Sequence, residues 1–417
     1  MTPRRVLLVL ARDPLAVRTG RTAVLETAVQ SLVDAGHEVV VAAVASGEPG
    51  TWMDLPLHRV TPPRLVALPF RVLAGTARLH ALNEAVLNGA GVRRAVAALA
   101  AEHRAEVVVG DGIRTWPAIA GLGLPTVMHL DDLLSDRYGS PSFRDGNDSV
   151  LGYYGERLPG PARALGERVA HTALGVESRL MHRREIAVAR ACGVAAMTSR
   201  REAEVLSARA GAPVVDLPMA VDPRRPGVPS QAPAASFAFL GVLHYGPNLA
   251  ALRHLRDVLL PAVRAAGLEV EVTVYGEARD TVREEFAQAQ GIRLAGYVDD
   301  LGDALRGHRG FLSPILSGAG VKTKVLDAMS VGLPVVATRL GVEGIPVTSG
   351  RDALVSDTTE GFVEHVRALQ ERPTLADDVG RAGHELLSTV LSADRIRRAW
   401  HEAVEIAMDR GAGPARA

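Results

Sequence analysis

The sequence predicts an α/β chain of two facing Rossmann-like domains with an interdomain cleft, and three observations carry that prediction. Short continuous apolar runs alternate with helical patterns in both halves, and a Pro-rich stretch without hydrophobic period separates the halves. At 417 residues the chain is also long enough for two or three domains, each with its own core.

Taken in order, VLLVLA (Val6–Ala11) leads into a loop holding Pro14 and Gly20. An amphipathic stretch from Arg21 to Ala35 follows, stops at Gly36 and gives way to EVVVAAVA. Continuous apolar runs bounded by turn residues suit strands covered on both faces, so this opening reads as a βαβ unit. EVVVGD (Glu106–Asp111), LPTVMHL (Leu124–Leu130) and GVAAMTS (Gly193–Ser199) read as further buried strands, and Ser199 and Glu202 stand at capping-box spacing before the next helix. VDPRRPGVPSQAPAAS (Val221–Ser236) reads as an interdomain linker. The rhythm then restarts with FAFLGVL, a helix around Ala250–Ala266, VEVTVYG, IRLAGYV, GFLSPIL and LPVVATR. The expected division is an N-terminal domain over 1–222, a linker over 223–235, a C-terminal domain over 236–395 and a final helix over 396–417 that packs back on the first domain.

Composition narrows the function. With 47 basic against 47 acidic side chains, no basic excess exists to neutralise phosphates over the whole surface, so nucleic acid is not expected as a partner. The lone Cys192 excludes an internal disulfide and a zinc site of several thiolates, and it fits a reducing cytoplasm. Arg12 and Asp13 interrupt the first apolar run, and no run has the length of a membrane helix. The irregular segment Arg59–Leu82, with Arg64, Arg71 and Arg78, has two readings: a basic apolar flap that touches an acceptor or an anionic lipid surface, or a helix that snorkels its arginines. Arg12, Arg18 and Arg21 in the first βα loop read equally as solvated charges or as groups facing an anion.

The most informative stretch is SPILSGAGVKTKVLDAMSVGLPVVATRLGVEGI (Ser313–Ile345), a strand, a glycine loop, a helix start and a second strand. Gly318 and Gly320 flank Ala319 and let backbone approach a ligand, while the helix expected from about Val321 offers unpaired N–H groups and a positive dipole end. Lys322 and Lys324 are the only lysines, so 45 of the 47 basic residues are arginine. Two compact ammonium groups beside a glycine loop suit a phosphate, and since positions two apart do not share a helical face, at most one points at it. Asp327 lies on about the same face as Gly320 and Lys324. It can accept from paired sugar hydroxyls or pair with Lys324. MHLDDLLSDRY (from Met128) brings His129, Asp131 and Asp132 to a strand's carboxyl end, as ligand groups or as a structural polar cluster.

Residues Gly318–Ile345 resemble the donor-site signature of retaining GT-B glycosyltransferases of family four, in which a GxGxxxK loop runs into KVLEAMAxGxPVVAT and an EG turn; here the turn is Glu343–Gly344. The resemblance extends to FAFLGVLHYGPNLAAL (Phe237–Leu252), IRLAGYVDDL (Ile292–Leu301) and LPMAVD (Leu217–Asp222). It implies a GT-B fold, with a nucleoside diphosphate sugar of the UDP or GDP type held as substrate mainly by the second domain. It implies an acceptor hydroxyl of a glycan, lipid-linked or small molecule held mainly by the first, and neither cofactor nor required metal. Asp327 matches the glutamate that holds the ribose, the loop Gly318, Ala319, Gly320, Val321 and Lys322 matches the part that meets the diphosphate and sugar, and the Tyr297–Val298 backbone matches the rest for the base. His129 matches a histidine that many members present to the donor sugar or acceptor, with Asp131 or Asp132 to position the acceptor hydroxyl or take its proton.

The sequence also departs from the pattern. Asp327 is one methylene shorter than glutamate, and position 319 is alanine where the first acid of the family's pair stands. In the loop after Gly241, His244 and Asn248 replace a basic clamp, which passes phosphate neutralisation to Lys322, Lys324 or an arginine. A sugar-nucleotide epimerase of the UDP-GlcNAc 2-epimerase kind and a catalytically silent GT-B partner protein are the competing readings. A dinucleotide oxidoreductase is disfavoured because LARDPLAVRTGRT lacks the three spaced glycines. Arginine-rich, lysine-poor usage suggests a GC-rich bacterial source.

Overall fold

A computed structural model describes residues 2–16, 20–63, 81–87, 89–139, 160–318 and 320–411. Most of the Arg59–Leu82 segment, Arg18 and Ala319 lie outside these residues. The chain divides into two compact units, residues 1–220 with 393–417, and residues 221–392. No described helix is long and apolar enough to cross a membrane.

The first unit is built round β1 (Arg5–Leu10), whose aliphatic side chains leave it no solvent face. Leu7 and Val9 enter one core and Val6, Leu8 and Leu10 the other. A strand apolar on both faces needs a layer on each side. Leu25, Val29 and Leu32 of α1 (Gly20–Asp34) cover one face, and Val92, Val96 and Ala100 of α2 (Ala90–Glu102) help cover the other. The remaining strands are β2 (Glu38–Val44), β3 (Gly50–Trp52), β4 (Leu55–Val60), β5 (Val107–Asp111), β6 (Thr126–His129), β7 (Val194–Met197) and β8 (Val214–Asp216). Their order is β3-β4-β2-β1-β5-β6-β7-β8, parallel except for the β3–β4 pair. That hairpin is absent from the sequence reading. Its two turn residues, Met53 and Asp54, both have positive φ, 52° and 61°, a conformation usually signalled by Asn-Gly, and Pro56 interrupts the strand pattern.

Three helices follow the strand ends of this unit: α3 (Leu134–Gly139), α4 (Gly160–Ala191) and α5 (Arg200–Ala210). The capping box expected at the start of α5 does not form. Ser199 makes no side-chain cap bond, and Glu202 instead accepts from the Leu133 N–H at 3.0 Å, so tertiary contact overrides the local motif.

The second unit is a six-stranded parallel sheet of order β11-β10-β9-β12-β13-β14. Its strands are β9 (Ser236–Leu240), β10 (Glu271–Tyr275), β11 (Ile292–Gly296), β12 (Gly310–Ser313), β13 (Val335–Ala337) and β14 (Leu354–Val355). Phe237, Phe239 and Leu312 anchor its core against α6 (Gly246–His254), which continues through a π turn at Leu255–Leu259, and against α8 (Thr359–Glu371) and α9 (Pro373–Val390). Between β12 and β13 lies α7 (Thr323–Ser330).

The stretch 223–235, expected as an interdomain linker, belongs to the second unit and is hydrogen-bonded into it. Arg224 and Gly227 N–H groups donate to the carbonyls of Ser330 and Val331 at 3.0 and 2.8 Å, and Ser230 N–H donates to Asp377 at 2.9 Å. A helix end leaves carbonyls without intrahelical donors, and the non-proline N–H groups of this stretch satisfy those of α7. The final helix α10 (Ala393–Arg410) starts at 393 rather than 396. It belongs to the first unit, where Ile396, Trp400, Val404 and Ala407 join the α1 face of the core.

Strand order reverses between β1 and β5 in one sheet and between β9 and β12 in the other. In open parallel sheets, ligands lodge outside the carboxyl ends of strands at such reversals.

Candidate active site

In the second unit the loops leaving β9 and β12 meet at that reversal, and glycines pack the β9 loop tightly against its own helix and against the loop leaving β10. A Cβ on Gly241 would stand 2.6 Å from Asn248 Nδ2, and one on Gly276, at φ 126°, would stand 2.3 Å from the Gly241 carbonyl oxygen. Asn248, in the first turn of α6, donates from Nδ2 to the Val242 carbonyl at 3.0 Å and accepts from Lys324 Nζ through Oδ1. Lys324 also lies 5.6 Å above the Phe239 ring. Burial, with Lys322 adding to it, pushes the Lys324 ammonium down to about 7. One side chain thus ties the β9 loop to α7.

Gly318 and Gly320 have φ of 99° and 75°, the left-handed region that favours glycine. A Cβ on Gly318 would be 3.7 Å from the Tyr245 hydroxyl, whereas one on Gly320 would meet nothing within 4 Å, so backbone is open to a ligand there. Lys322 Nζ donates to the Gly320 carbonyl at 2.5 Å and stands 3.8 Å from Glu343, bracing the turn. The helix starts at Thr323, two residues beyond Val321, and Lys322 occupies its N-cap position. Burial pushes the Asp327 carboxyl above its ordinary range against the pull of Arg224. Among the described ion pairs Lys324 and Asp327 are not partners, since Lys324 turns to Asn248. His244 is exposed on the β9 loop, and Tyr297, 73% exposed, and half-buried Val298 follow β11.

In the first unit His129, Asp131 and Asp132 stand at the carboxyl end of β6 beside β5, whose last residue is Asp111. Arg21, in the first turn of α1, joins the ends. Its Nε donates to Asp111 at 2.8 Å, its Nη1 lies 2.8 Å from Asp131 Oδ1 and donates to His129 Nδ1 at 3.0 Å, and its Nη2 also contacts Asp111. This arginine is therefore no solvated loop charge; its side chain is only 10% exposed. Asp131 adopts φ 73° and accepts from the Thr198 hydroxyl at 3.1 Å, while buried Asp132 pairs with Arg137. Burial raises the Asp132 carboxyl; it is also the largest influence on Asp131 and opposes its ionisation, but Arg21, His129, Arg137 and the Thr198 hydroxyl together outweigh it and hold Asp131 below the carboxylate range.

Buried His129 donates from Nε2 to the Leu217 carbonyl at 3.0 Å, and its ring packs 5.5 Å from that of Trp400. Both ring nitrogens are committed, so the imidazole supports Arg21. Burial first and Arg21 second push it down to about 4. A histidine depressed in the folded state is neutral there while the unfolded chain takes up a proton, so stability through this group is full above pH 6.5 and falls as pH drops toward 4. Buried Glu185, pushed up to about 7 chiefly by burial and hydrogen-bonded to Ser135, acts with opposite sign, losing stability as pH rises from 4.5 to 7. The His129 share is expected as a difference: the stability advantage of wild type over His129→Gln shrinks by about 3 kcal/mol between pH 7 and 4. Denaturant titrations of both chains followed by tryptophan fluorescence check it, and a pH-independent difference contradicts it.

Sequence reasoning overlooked Asp111 and left Arg21 undecided, although the Gly-Asp that closes a buried strand was a readable signal. Gly110 is required there because a Cβ would meet Met128 Sδ at 2.6 Å. Among the described residues, no group of three or more His, Cys, Asp or Glu side chains is placed to hold a metal ion.

This two-unit architecture is the GT-B fold. Sucrose-phosphate synthase from Thermosynechococcus elongatus superposes with a TM-score of 0.65 at 13% identity, over 96% of this chain and 98% of that one. HepE from Anabaena, solved with UDP and glucose, superposes with a TM-score of 0.61 at 13% identity, over 96% and 99%. Residues 234–372, within the second unit, match the family described as glycosyl transferases group 1. The family match thus falls in the second unit of a chain with the GT-B fold. An uncharacterised 44.6 kDa protein of the Klebsiella pneumoniae cps region is 29% identical over 136 residues, a match that spans 31% of this chain and about a third, 35%, of that protein.

Proposed function

We propose that the protein transfers a sugar, with retention of anomeric configuration, from a UDP- or GDP-linked donor to a hydroxyl of a glycan, lipid-linked or small-molecule acceptor. The observation that carries this reading is the Lys324–Asn248 contact beside the open backbone of Gly320, at the reversal point of a parallel sheet. Free N–H groups at the start of α7 and the Lys324 ammonium stabilise the departing diphosphate electrostatically. Asp327 accepts from the ribose hydroxyls, and the turn at Tyr297 and Val298 supports the base. Asp131 and its neighbours on the first unit receive the acceptor. The UDP and glucose bound by HepE and the cps-region context of the Klebsiella relative support this reading.

Calorimetry of the full chain with UDP and GDP tests it. One nucleotide is expected to bind with Kd below millimolar; failure of both overturns the donor reading. NMR time courses with UDP-glucose, UDP-galactose, UDP-N-acetylglucosamine and GDP-mannose are expected to show one donor consumed. Slow hydrolysis to the retained anomer agrees with transfer, and interconversion of the intact nucleotide sugar contradicts it.

A further inference from the structure

At the carboxyl edge of the first sheet, one guanidinium meets two carboxylates and an imidazole. Arg21 reaches Asp111 through Nε at 2.8 Å, Asp131 through Nη1 at 2.8 Å and His129 Nδ1 at 3.0 Å. The chemistry of the partners fixes the protons. Arginine only donates, so His129 Nδ1 is bare, and the Leu217 carbonyl only accepts, so the proton sits on Nε2. With both nitrogens engaged and the residue 2% exposed, His129 has no group left for a ligand.

Asp131 differs. Its side chain is 35% exposed against 6% for Asp111 and 5% for Asp132. It is also held in a left-handed backbone conformation that a non-glycine residue adopts at some cost, φ 73°. The conformation is secured from just past the end of β7, where Thr198 N–H donates to the Asp131 carbonyl and the Thr198 hydroxyl to Oδ1, both at 3.1 Å.

We infer that Arg21 is the positioning residue of this strand end: it locks His129 as a neutral Nε2–H imidazole and presents Asp131 as the ionised, accessible carboxylate that accepts a hydrogen bond from the acceptor hydroxyl. The assignment of Asp131 to the acceptor rests on the proposed transfer reaction; the role of Arg21 stands on geometry alone. It moves the substrate-facing task from His129 to Asp131. Besides Arg21, the charged groups facing the pair are Asp111 on β5, Asp132, and Arg137 on α3, with Arg114 acting on Asp132, while α10 brings the Trp400 ring against His129.

The test uses the full chain labelled with 15N in histidine and 13C in the aspartate carboxyl, the His129 and Asp131 signals being identified by their loss in His129→Gln and Asp131→Asn. In wild type His129 is expected to keep the Nε2–H form to pH 5, and Asp131 to remain ionised throughout. In Arg21→Gln both groups are expected to titrate at least one unit higher. Arg21→Lys restores a charge that cannot reach three partners at once, so it shifts both by less; it also serves if Arg21→Gln does not fold. A wild-type His129 that titrates near its ordinary value, or variants that leave both signals unmoved, overturns the positioning role.

The second arm measures hydrolysis of whichever nucleotide sugar in the panel is consumed. Asp131→Asn is expected to lower kcat at least 10-fold with KM for the donor within about 2-fold. Unchanged kcat overturns the assignment of Asp131. If no donor is consumed and neither UDP nor GDP binds, the transfer reading fails, and the NMR result still decides Arg21.

Discussion

Replacing Lys324 by methionine is expected to weaken UDP or GDP binding about 100-fold at pH 7 and to abolish a proton uptake that accompanies binding in wild type. The amine is buried against Phe239 and Asn248 and held at about 7, so near pH 8 about nine-tenths of unliganded molecules carry it neutral. A diphosphate beside it reverses the balance, because an adjacent negative charge favours the ammonium. Binding at pH 8 should therefore take up close to one proton per nucleotide, and affinity should fall as pH rises from 7 to 9. Calorimetry in two buffers of different ionisation enthalpy reads the uptake directly. An observed enthalpy that ignores the buffer contradicts the placement of Lys324 at the phosphate.

A second large effect is expected at Gly276. Gly276→Ala should destabilise the second unit by about 3 kcal/mol or more, since φ 126° is unfavourable for any side chain and the added carbon would strike the Gly241 carbonyl oxygen rather than a side chain able to swing away. Because the chain has two units, unfolding is not expected to be one transition. Trp52, Trp116 and Trp400, the three tryptophans, all lie in the first unit, so fluorescence follows that unit while circular dichroism follows both. The variant should lower the dichroism midpoint that fluorescence does not report and leave the fluorescence midpoint in place. Equal shifts of both would contradict a local backbone clash.

Much of the fold was legible because buried parallel strands are written as unbroken aliphatic runs, as in Val6–Leu10 and Phe237–Leu240. The β3–β4 hairpin was not, because Met53 and Asp54 take a turn conformation that their side chains do not advertise. The stretch 223–235 misled for a related reason. Prolines and missing periodicity say only that a segment forms no helix or strand, and here its N–H groups close the end of α7. At the loops leaving β9 and β12, local spacing marked Gly318, Gly320 and the lysines, but the link from Lys324 to Asn248 joins residues 76 apart and depends on the sheet bringing β9 beside β12. Arg21 failed the reading for the same cause. In sequence it is one of several arginines near a loop, and only the reversal between β1 and β5 delivers it to Asp111, His129 and Asp131.

The most direct measurement is a crystal structure of the full chain with UDP or GDP bound. The diphosphate is expected against the Gly320 and Val321 backbone at the start of α7, with Lys324 Nζ turned from Asn248 onto a phosphate oxygen and the ribose at Asp327. A nucleotide lodged elsewhere, with Lys324 still on Asn248, would contradict the account.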